Sequence, residues 1–317
     1  MHVALVTDFD HTPRYADVDE PRAVGPHEEV VDVLAAALHP RVRSQADGSH
    51  YTSTDALPLV PGVDGVGRRA DGSLVYFVVG DTQLGTLAEK TIVDLRRSVP
   101  LPADADPLLL AAAMNPAMSS WVALTKRVSF RPGQSVLVLG ATGAAGQLAI
   151  QVARRLGAGD VVAAGRDRAK LARAGSLGAT ATIDLFASPD EIAADLAAKA
   201  ADVDVVLDYL WGEPAQNAVM PMLLARADRS RALDWIQIGS SAGAEIALPS
   251  AALRQANLRL LGSGQGSVST AGIVSVLPDL VAEVMRGGLT VEVDERPLAD
   301  VEAVWSVAGA ARVVFVP

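Results

Sequence analysis

One stretch constrains this chain more than any other. Residues 135–158 read SVLVLGATGAAGQLAIQVARRLGA, a short apolar run, a turn with three glycines, and an alanine-rich segment. An apolar run of that length, stopped by glycine, is a buried strand, and the segment behind it reads as a helix. A strand passing through a tight turn into a helix opens a βαβ unit. The alternation then continues. DVVAAG is a strand, RAKLARAGSLG a helix ending in glycine, and ATATIDL a short strand. SPDEIAADLAAKA opens on a helix-start signal, with Ser188, Pro189 behind it and Glu191 three positions on. VDVVLDYL and ALDWIQIGS read as further buried strands, with a helix, PAQNAVMPMLLARA, between them. Strands and helices in this order imply a doubly wound parallel sheet, expected over residues 118–255.

The texture before residue 115 is different. HVALVTD, EEVVDVLAAAL, SLVYFVV and LAEKTIVD are short strands, set apart by Pro, Gly and Asp clusters such as PGVDGVG and ADGS. The helix AMSSWVALTKRV then leads into the alternating region. After residue 270 come a helix, a strand TVEVDERPL, a short helix and a closing strand ARVVFVP. The expected organisation is a β-rich domain of residues 1–117, completed by 256–317, with the parallel-sheet domain inserted into it.

Composition narrows the chemistry. Half of the 317 residues are hydrophobic and a fifth are charged, enough for two packed cores. A net charge of -10 opposes binding to nucleic acid, which needs clustered Lys and Arg. The absence of cysteine excludes disulfides, thiolate zinc sites and thiol nucleophiles. No uninterrupted apolar run reaches the roughly 20 residues of a membrane span, and the N-terminus has no signal-peptide pattern. A cytoplasmic location without a membrane partner is the expectation.

The glycine turn is a candidate dinucleotide cradle. The fingerprint falls on Ala141, Gly143 and Gly146, with Thr142, Ala144 and Ala145 between them. Gly143 would let the backbone approach a pyrophosphate, and Gly146 would let helix and strand pack closely. The helix start offers free N–H groups and a positive dipole end. A tight structural turn is the plainer reading. The second strand ends in Gly165-Arg166, where an NAD site carries Asp or Glu for the ribose 2′-hydroxyl. A guanidinium there, with Arg168 and Lys170 close behind, suits a 2′-phosphate and predicts NADP(H). A solvated turn is the alternative for Arg166, and Asp167 is a displaced candidate for the ribose.

Several further stretches resemble the medium-chain dehydrogenase/reductase superfamily in its zinc-free, zeta-crystallin-like NADPH:quinone oxidoreductase branch. PGVDGVG (Pro61–Gly67) is similar to that branch's Pro-Gly-x-Asp/Glu-x-x-Gly segment, and GTLAEKTIV to its Gly-x-x-Ala-Glu-Tyr stretch, with Lys90 in place of Tyr. FRPGQSVLVLGATGAAGQLAIQVARRLGA, SLGATATID and ARVVFVP resemble its cofactor-domain entry, a Leu-Gly-Ala segment and its last strand. The zinc-binding branch has a Gly-His-Glu signature where this chain reads Val63-Asp64-Gly65, and the five histidines lack metal-ligand spacing.

The resemblance implies an α/β Rossmann sheet inserted in a GroES-like catalytic domain. It implies metal-free hydride transfer from NADPH to a quinone or α,β-unsaturated carbonyl. A homodimer joined through the cofactor domains follows from LLGSGQGS, which resembles the pairing strand. An enoyl-thioester reductase and a non-catalytic NADPH-binding sensor or structural protein are the alternatives. His39, before Pro40, stands where relatives have Asn beside the nicotinamide, and is expected to bond a substrate carbonyl or relay a proton. A backbone-satisfied histidine at a strand end is the other reading. Tyr51 matches a family tyrosine that would polarise the carbonyl, or else is a plain loop residue. Ser119 matches a threonine at the start of the helix entering the cofactor domain, near the nicotinamide or a phosphate. Gly239, Ser240 and Ser241, at a strand's carboxyl end, and Gly262 and Ser263 are expected near the nicotinamide. For Asp208 a structural hydrogen-bonding role weighs at least as much as a functional one.

Overall fold

The computed structural model describes residues 1–307, 309 and 311–317, in two compact units. One unit joins Met1–Asn115 to Leu277–Pro317, and the other is Pro116–Val276. The first begins with an antiparallel pair, β1 (His2–Leu5) and β2 (Arg14–Asp17). The long strand β3 (Glu28–Ala37) follows, then helix α1 (Pro40–Ala46), β4 (Asp64–Arg68), β5 (Leu74–Val78), β6 (Lys90–Asp94) and β7 (Ser98–Leu101). β3 is the centre of its sheet, pairing antiparallel with both β4 and β6.

PGVDGVG, read above as a turn cluster, runs directly into β4. Its glycines serve a strand because β3 passes very close. A Cβ at Gly67 would lie 2.4 Å from Val31 Cγ1 and 2.7 Å from the Asp32 carbonyl oxygen.

Helix α2 (Pro107–Val122) starts ten residues before the Ala117 at which the sequence reading opens it. Asp106 caps it, accepting from the N–H groups of Leu108 and Leu109, and Pro107 needs no N–H at the first position. Ala111, Ala112, Ala113 and Met114 are fully buried, so this part of the helix has no polar face to reveal its period. The boundary between the units falls inside α2, between Asn115 and Pro116. With its wider last turn the helix spans Pro107–Arg127, 21 residues, apolar and long enough to cross a membrane, although 67% of its apolar window is buried in the protein.

The second unit holds β8 (Val136–Leu139), α3 (Ala144–Arg155), β9 (Val161–Gly165), α4 (Arg168–Ala172), β10 (Ala181–Asp184), α5 (Pro189–Lys199) and β11 (Val205–Asp208). It continues with α6 (Gly212–Ala225), β12 (Leu233–Gln237), α7 (Ser250–Gln255), β13 (Leu258–Gly262) and α8 (Thr270–Val274). The six strands are all parallel, in the order β10-β9-β8-β11-β12-β13. That is the doubly wound order, which reverses between β8 and β11. β8, β9 and β11 are buried along their whole length, which is why they read as unbroken apolar runs. The helices cover the sheet through a core that includes Leu137, Leu139, Leu196, Val206, Met222 and Trp235. At α5 the Ser188–Glu191 capping box is formed in full.

The expected boundary at residue 255 is corrected to Val276, because β13 pairs with β12 as the sixth strand of this sheet. The chain then returns to the first unit with α9 (Leu277–Met285), β14 (Val293–Pro297), α10 (Val301–Val304) and β15 (Arg312–Val316). β14 and β15 pair parallel, and β15 pairs antiparallel with β3 at Ala36 and Ala37. Phe315, Trp305 and Val301 from this return segment pack with Val31, Leu59 and Phe77 in one core.

Candidate active site

β8 ends in a turn that only glycine makes easily. Gly140 has φ +91, in the left-handed region, and its N–H and that of Ala141 both donate to the Ala164 carbonyl at the end of β9. Gly143 then serves as N-cap of α3 and, having no side chain, leaves the cap without a side-chain bond. The N–H groups of Ala144, Ala145 and Gly146 have no acceptor among the described residues, as expected of a first helical turn. A Cβ on Gly143 would meet nothing nearer than the Gly140 oxygen at 3.4 Å, so the space above the turn is open. A Cβ on Gly146 would lie 2.2 Å from the same oxygen, so the helix rests directly on the turn. The first of the three fingerprint glycines is therefore Gly140, not position 141. The even spacing of Gly140, Gly143 and Gly146 is the signal for it in the sequence.

The end of β9 packs against this turn. A Cβ on the buried Gly165 would lie 2.4 Å from Thr142 Cγ2, so Gly165 is where the Thr142 side chain seats. Of the charges that follow, three are engaged. Arg168 pairs with Asp184 at 2.6 Å and covers the Phe186 ring. Asp167 caps α4 through the Lys170 N–H, and its carboxylate lies 3.8 Å from Lys170 Nζ. Asp167 is thus occupied as a helix cap. Arg166 is exposed and has no ion pair or hydrogen bond among the described residues.

The loops after β11 and β12 are stitched together beside the glycine turn. Asp208 is fully buried, accepting from the Leu210 and Trp211 N–H groups and from Trp235 Nε1, each at 2.9 Å. Burial raises its pKa, and those three donors oppose the rise. It holds Trp211 at φ 52, the one positive value outside glycine among the described residues, which costs of order 1–3 kcal/mol. The Tyr209 carbonyl accepts from the N–H and hydroxyl of Ser241, and the N–H groups of Gly239 and Ala242 donate to Asp208 and Leu210. Ser240 is exposed at the loop tip. At the next strand end Gly262 is open, its carbonyl accepting from Arg127 Nε, and the Ser263 N–H donates to Gln237. The sheet order thus aligns Thr142–Gly146, Gly165–Lys170, Gly239–Ser241 and Gly262–Ser263 along one carboxyl edge.

Ser119 departs from expectation. It lies in the last turn of α2 rather than at a helix start, because the helix begins at Pro107. Its hydroxyl donates to the Pro116 carbonyl at 2.6 Å, so it accepts the Tyr209 hydroxyl at 2.9 Å. Burial pushes the Tyr209 phenol up to about 12, keeping that proton in place. Tyr209, which sequence reasoning passed over, ties α2 to the end of β11. Its only signal is its position directly after the strand-ending Asp208.

In the first unit His39 is the N-cap of α1, and its carbonyl accepts from Val42 and Arg43. The ring is 3% exposed and turns inward, with Nε2 3.1 Å from Asp64 Oδ1. Asp64 Oδ2 accepts the Tyr76 hydroxyl at 2.8 Å. Burial lowers the His39 pKa against the opposing pull of Asp64, leaving the imidazole neutral at neutral pH. Nε2 is therefore spoken for, and only Nδ1 remains to meet another molecule. Tyr51 lies on the loop after α1, 71% exposed, its ring centroid 4.3 Å from that of His50. Lys90 pairs with Glu20 at 2.9 Å. Among the described residues no three His, Cys, Asp or Glu group as metal ligands.

The zinc-binding dehydrogenase family matches residues 144–271. Over the whole of both chains, the sequence is 30% identical to a probable NADPH-dependent quinone reductase of Emericella nidulans. It is 32% identical to the chloroplastic NADPH-dependent alkenal/one oxidoreductase of Arabidopsis thaliana, across 49% of this chain and 44% of that one. The fold matches the quinone oxidoreductase of Thermus thermophilus, whose structures include a complex with NADPH, with a TM-score of 0.82 and 27% identity over both full chains.

Proposed function

Because the chain belongs to the medium-chain dehydrogenase/reductase superfamily, in its quinone oxidoreductase branch, we propose that it is an NADPH-dependent reductase of quinones or α,β-unsaturated carbonyls. The observation that carries the cofactor choice is Arg166, the uncommitted guanidinium at the end of β9, where an acid would select NAD. The residues present fit the cofactor. The open backbone at Gly143 and the unpartnered N–H groups of α3 suit its pyrophosphate, and Arg166 suits its 2′-phosphate. When bound, NADPH supplies a hydride from its nicotinamide.

The chain's own contribution is binding and alignment. Gly140 and Gly146 set α3 tightly on β8, which aims the free N–H groups along the carboxyl edge of the sheet. The Asp208 clamp and the Tyr209–Ser241 bonds fix the neighbouring loops, so the site is preorganised. The β-rich unit is the substrate domain in this reading, and His39 and Tyr51 are its candidate contacts. The reading includes a homodimer through β13, supported by that strand's place at the sheet edge and by the exposed Leu260 on it. A cytoplasmic location belongs to the same reading.

The test is consumption of NADPH with a panel of quinones and enones, beside the Arg166→Ala variant. Losing charge-assisted bonds to a phosphate costs about 1.5–3 kcal/mol, so NADPH binding should weaken about ten- to hundredfold. NADH binding should barely change. Equal weakening of both cofactors would remove Arg166 from the role, and saturable NADPH binding without turnover of any acceptor would leave a non-catalytic binding protein.

A further inference from the structure

Resting on the reading above, we propose that Asp64 is a positioning residue that fixes the Nε2–H tautomer of His39, while Tyr76 occupies the other carboxylate oxygen. The Nδ1 of His39 is then a hydrogen-bond acceptor that selects quinones or enones carrying a hydroxyl donor. The three side chains are almost sealed, with His39 3%, Asp64 1% and Tyr76 0% exposed. β4 and β5 supply the carboxylate and the phenol, and their register sets Asp64 opposite Val78, which leaves Tyr76 on the diagonal. Thr86 holds the Asp64 backbone, donating its hydroxyl to the carbonyl at 2.8 Å.

Proton placement follows from what each group can do. Burial raises the Tyr76 phenol well above its ordinary range, so it stays protonated and donates to Asp64 Oδ2. Arg312, its pKa lowered to about 10 by burial, lies within electrostatic reach of the Asp64 side chain. A carboxylate only accepts, so the proton of the 3.1 Å contact sits on His39 Nε2. The charged groups around the ring are Asp64, which favours its protonation, and Arg312 and Arg41, which oppose it along with burial. The neutral ring therefore has a lone pair at Nδ1. Nδ1 makes no hydrogen bond among the described residues.

An acceptor nitrogen opposes a bare carbonyl oxygen and welcomes an O–H. His39 in this state does not donate to the substrate carbonyl. It rewards a hydroxyl beside the reducible group, an interaction that an Asn amide offers without commitment to either sense.

The experiment is nitrogen-resolved NMR of the histidine rings in the full chain at neutral pH, joined to kinetics on matched hydroxymethyl and methoxymethyl quinones, whose alcohol stays protonated. Wild type should show Nε2 protonated and Nδ1 bare, and favour the hydroxymethyl substrate by about tenfold in kcat/KM. In Asp64→Asn the amide turns its oxygen to Tyr76 and its NH2 to His39, so the proton moves to Nδ1. The ring pattern should invert and the preference shrink to within about twofold. Tyr76→Phe should keep the wild-type tautomer. A wild-type ring protonated at Nδ1, or a folded Asp64→Asn variant with an unchanged pattern, overturns the proposal. Wild-type kinetics without a hydroxymethyl preference overturn the selectivity, and this readout needs no variant to fold. Failure to turn over any acceptor would defeat the functional reading instead, and the NMR result would still report the tautomer.

Discussion

Gly143 and Gly146 are three residues apart, and a methyl group added at each meets a different environment. At Gly146 it would press on the Gly140 carbonyl from 2.2 Å, and relieving that contact moves a helix off its strand. Gly146→Ala should destabilise the fold by about 1–3 kcal/mol, seen as a lower melting temperature with or without cofactor. Gly143→Ala should melt like wild type, because its methyl enters open space, while calorimetric titration shows weaker NADPH binding. At this scale the sequence made the glycine turn legible, since it follows from local backbone geometry. The partners of His39 were not legible. Asp64 and Tyr76 reach it only because β4 and β5 pair in one register, and no spacing along the chain encodes that. Ser119 was misplaced for a related reason, its helix starting far upstream in a run with no polar face.

Elements were legible where they carry their own punctuation. The α5 capping box is one such signal, with the Ser188 hydroxyl accepting from the Glu191 N–H and the Glu191 carboxylate accepting from the Ser188 N–H. Ser188→Ala should cost about 1 kcal/mol, measured as a lower urea midpoint with unchanged slope. The parallel strands were equally plain, being apolar throughout and flanked by helices. β4 was not, because its glycines mimic a turn while serving a close backbone crossing with β3. β13 was recognised as a strand but given to the other domain, since an edge strand's allegiance is decided by the neighbour it pairs with, here β12.

For the whole molecule, histidine burial sets an acid limit on stability. His39 and His50 both have pKa values below the ordinary 6.5, each mainly through burial, and His50 falls to about 4. The folded state then binds fewer protons than the unfolded one across that window. The His50 contribution is complete above 6.5 and is lost as pH falls toward 4, and that of His39 is lost in the same direction. Buried Asp208 and Asp234, with raised values, act in the opposite sense, whereas carboxylates such as Asp94, lowered to about 2, lose their contribution at still lower pH. His50→Gln should therefore flatten part of the decline in urea midpoint between 6.5 and 4, relative to wild type. The return of the chain to its first unit has a consequence for biosynthesis. β3 leaves the ribosome before β4 and β6 and meets them soon after, but its Ala36–Ala37 end waits for β15, more than 270 residues further on. Leu38, next to His39, donates its N–H to Val313 and accepts from Arg312. The backbone beside the candidate substrate histidine is thus completed only after β15 is made, so a nascent chain, or one cut before β15, would have its cofactor sheet finished before its substrate domain.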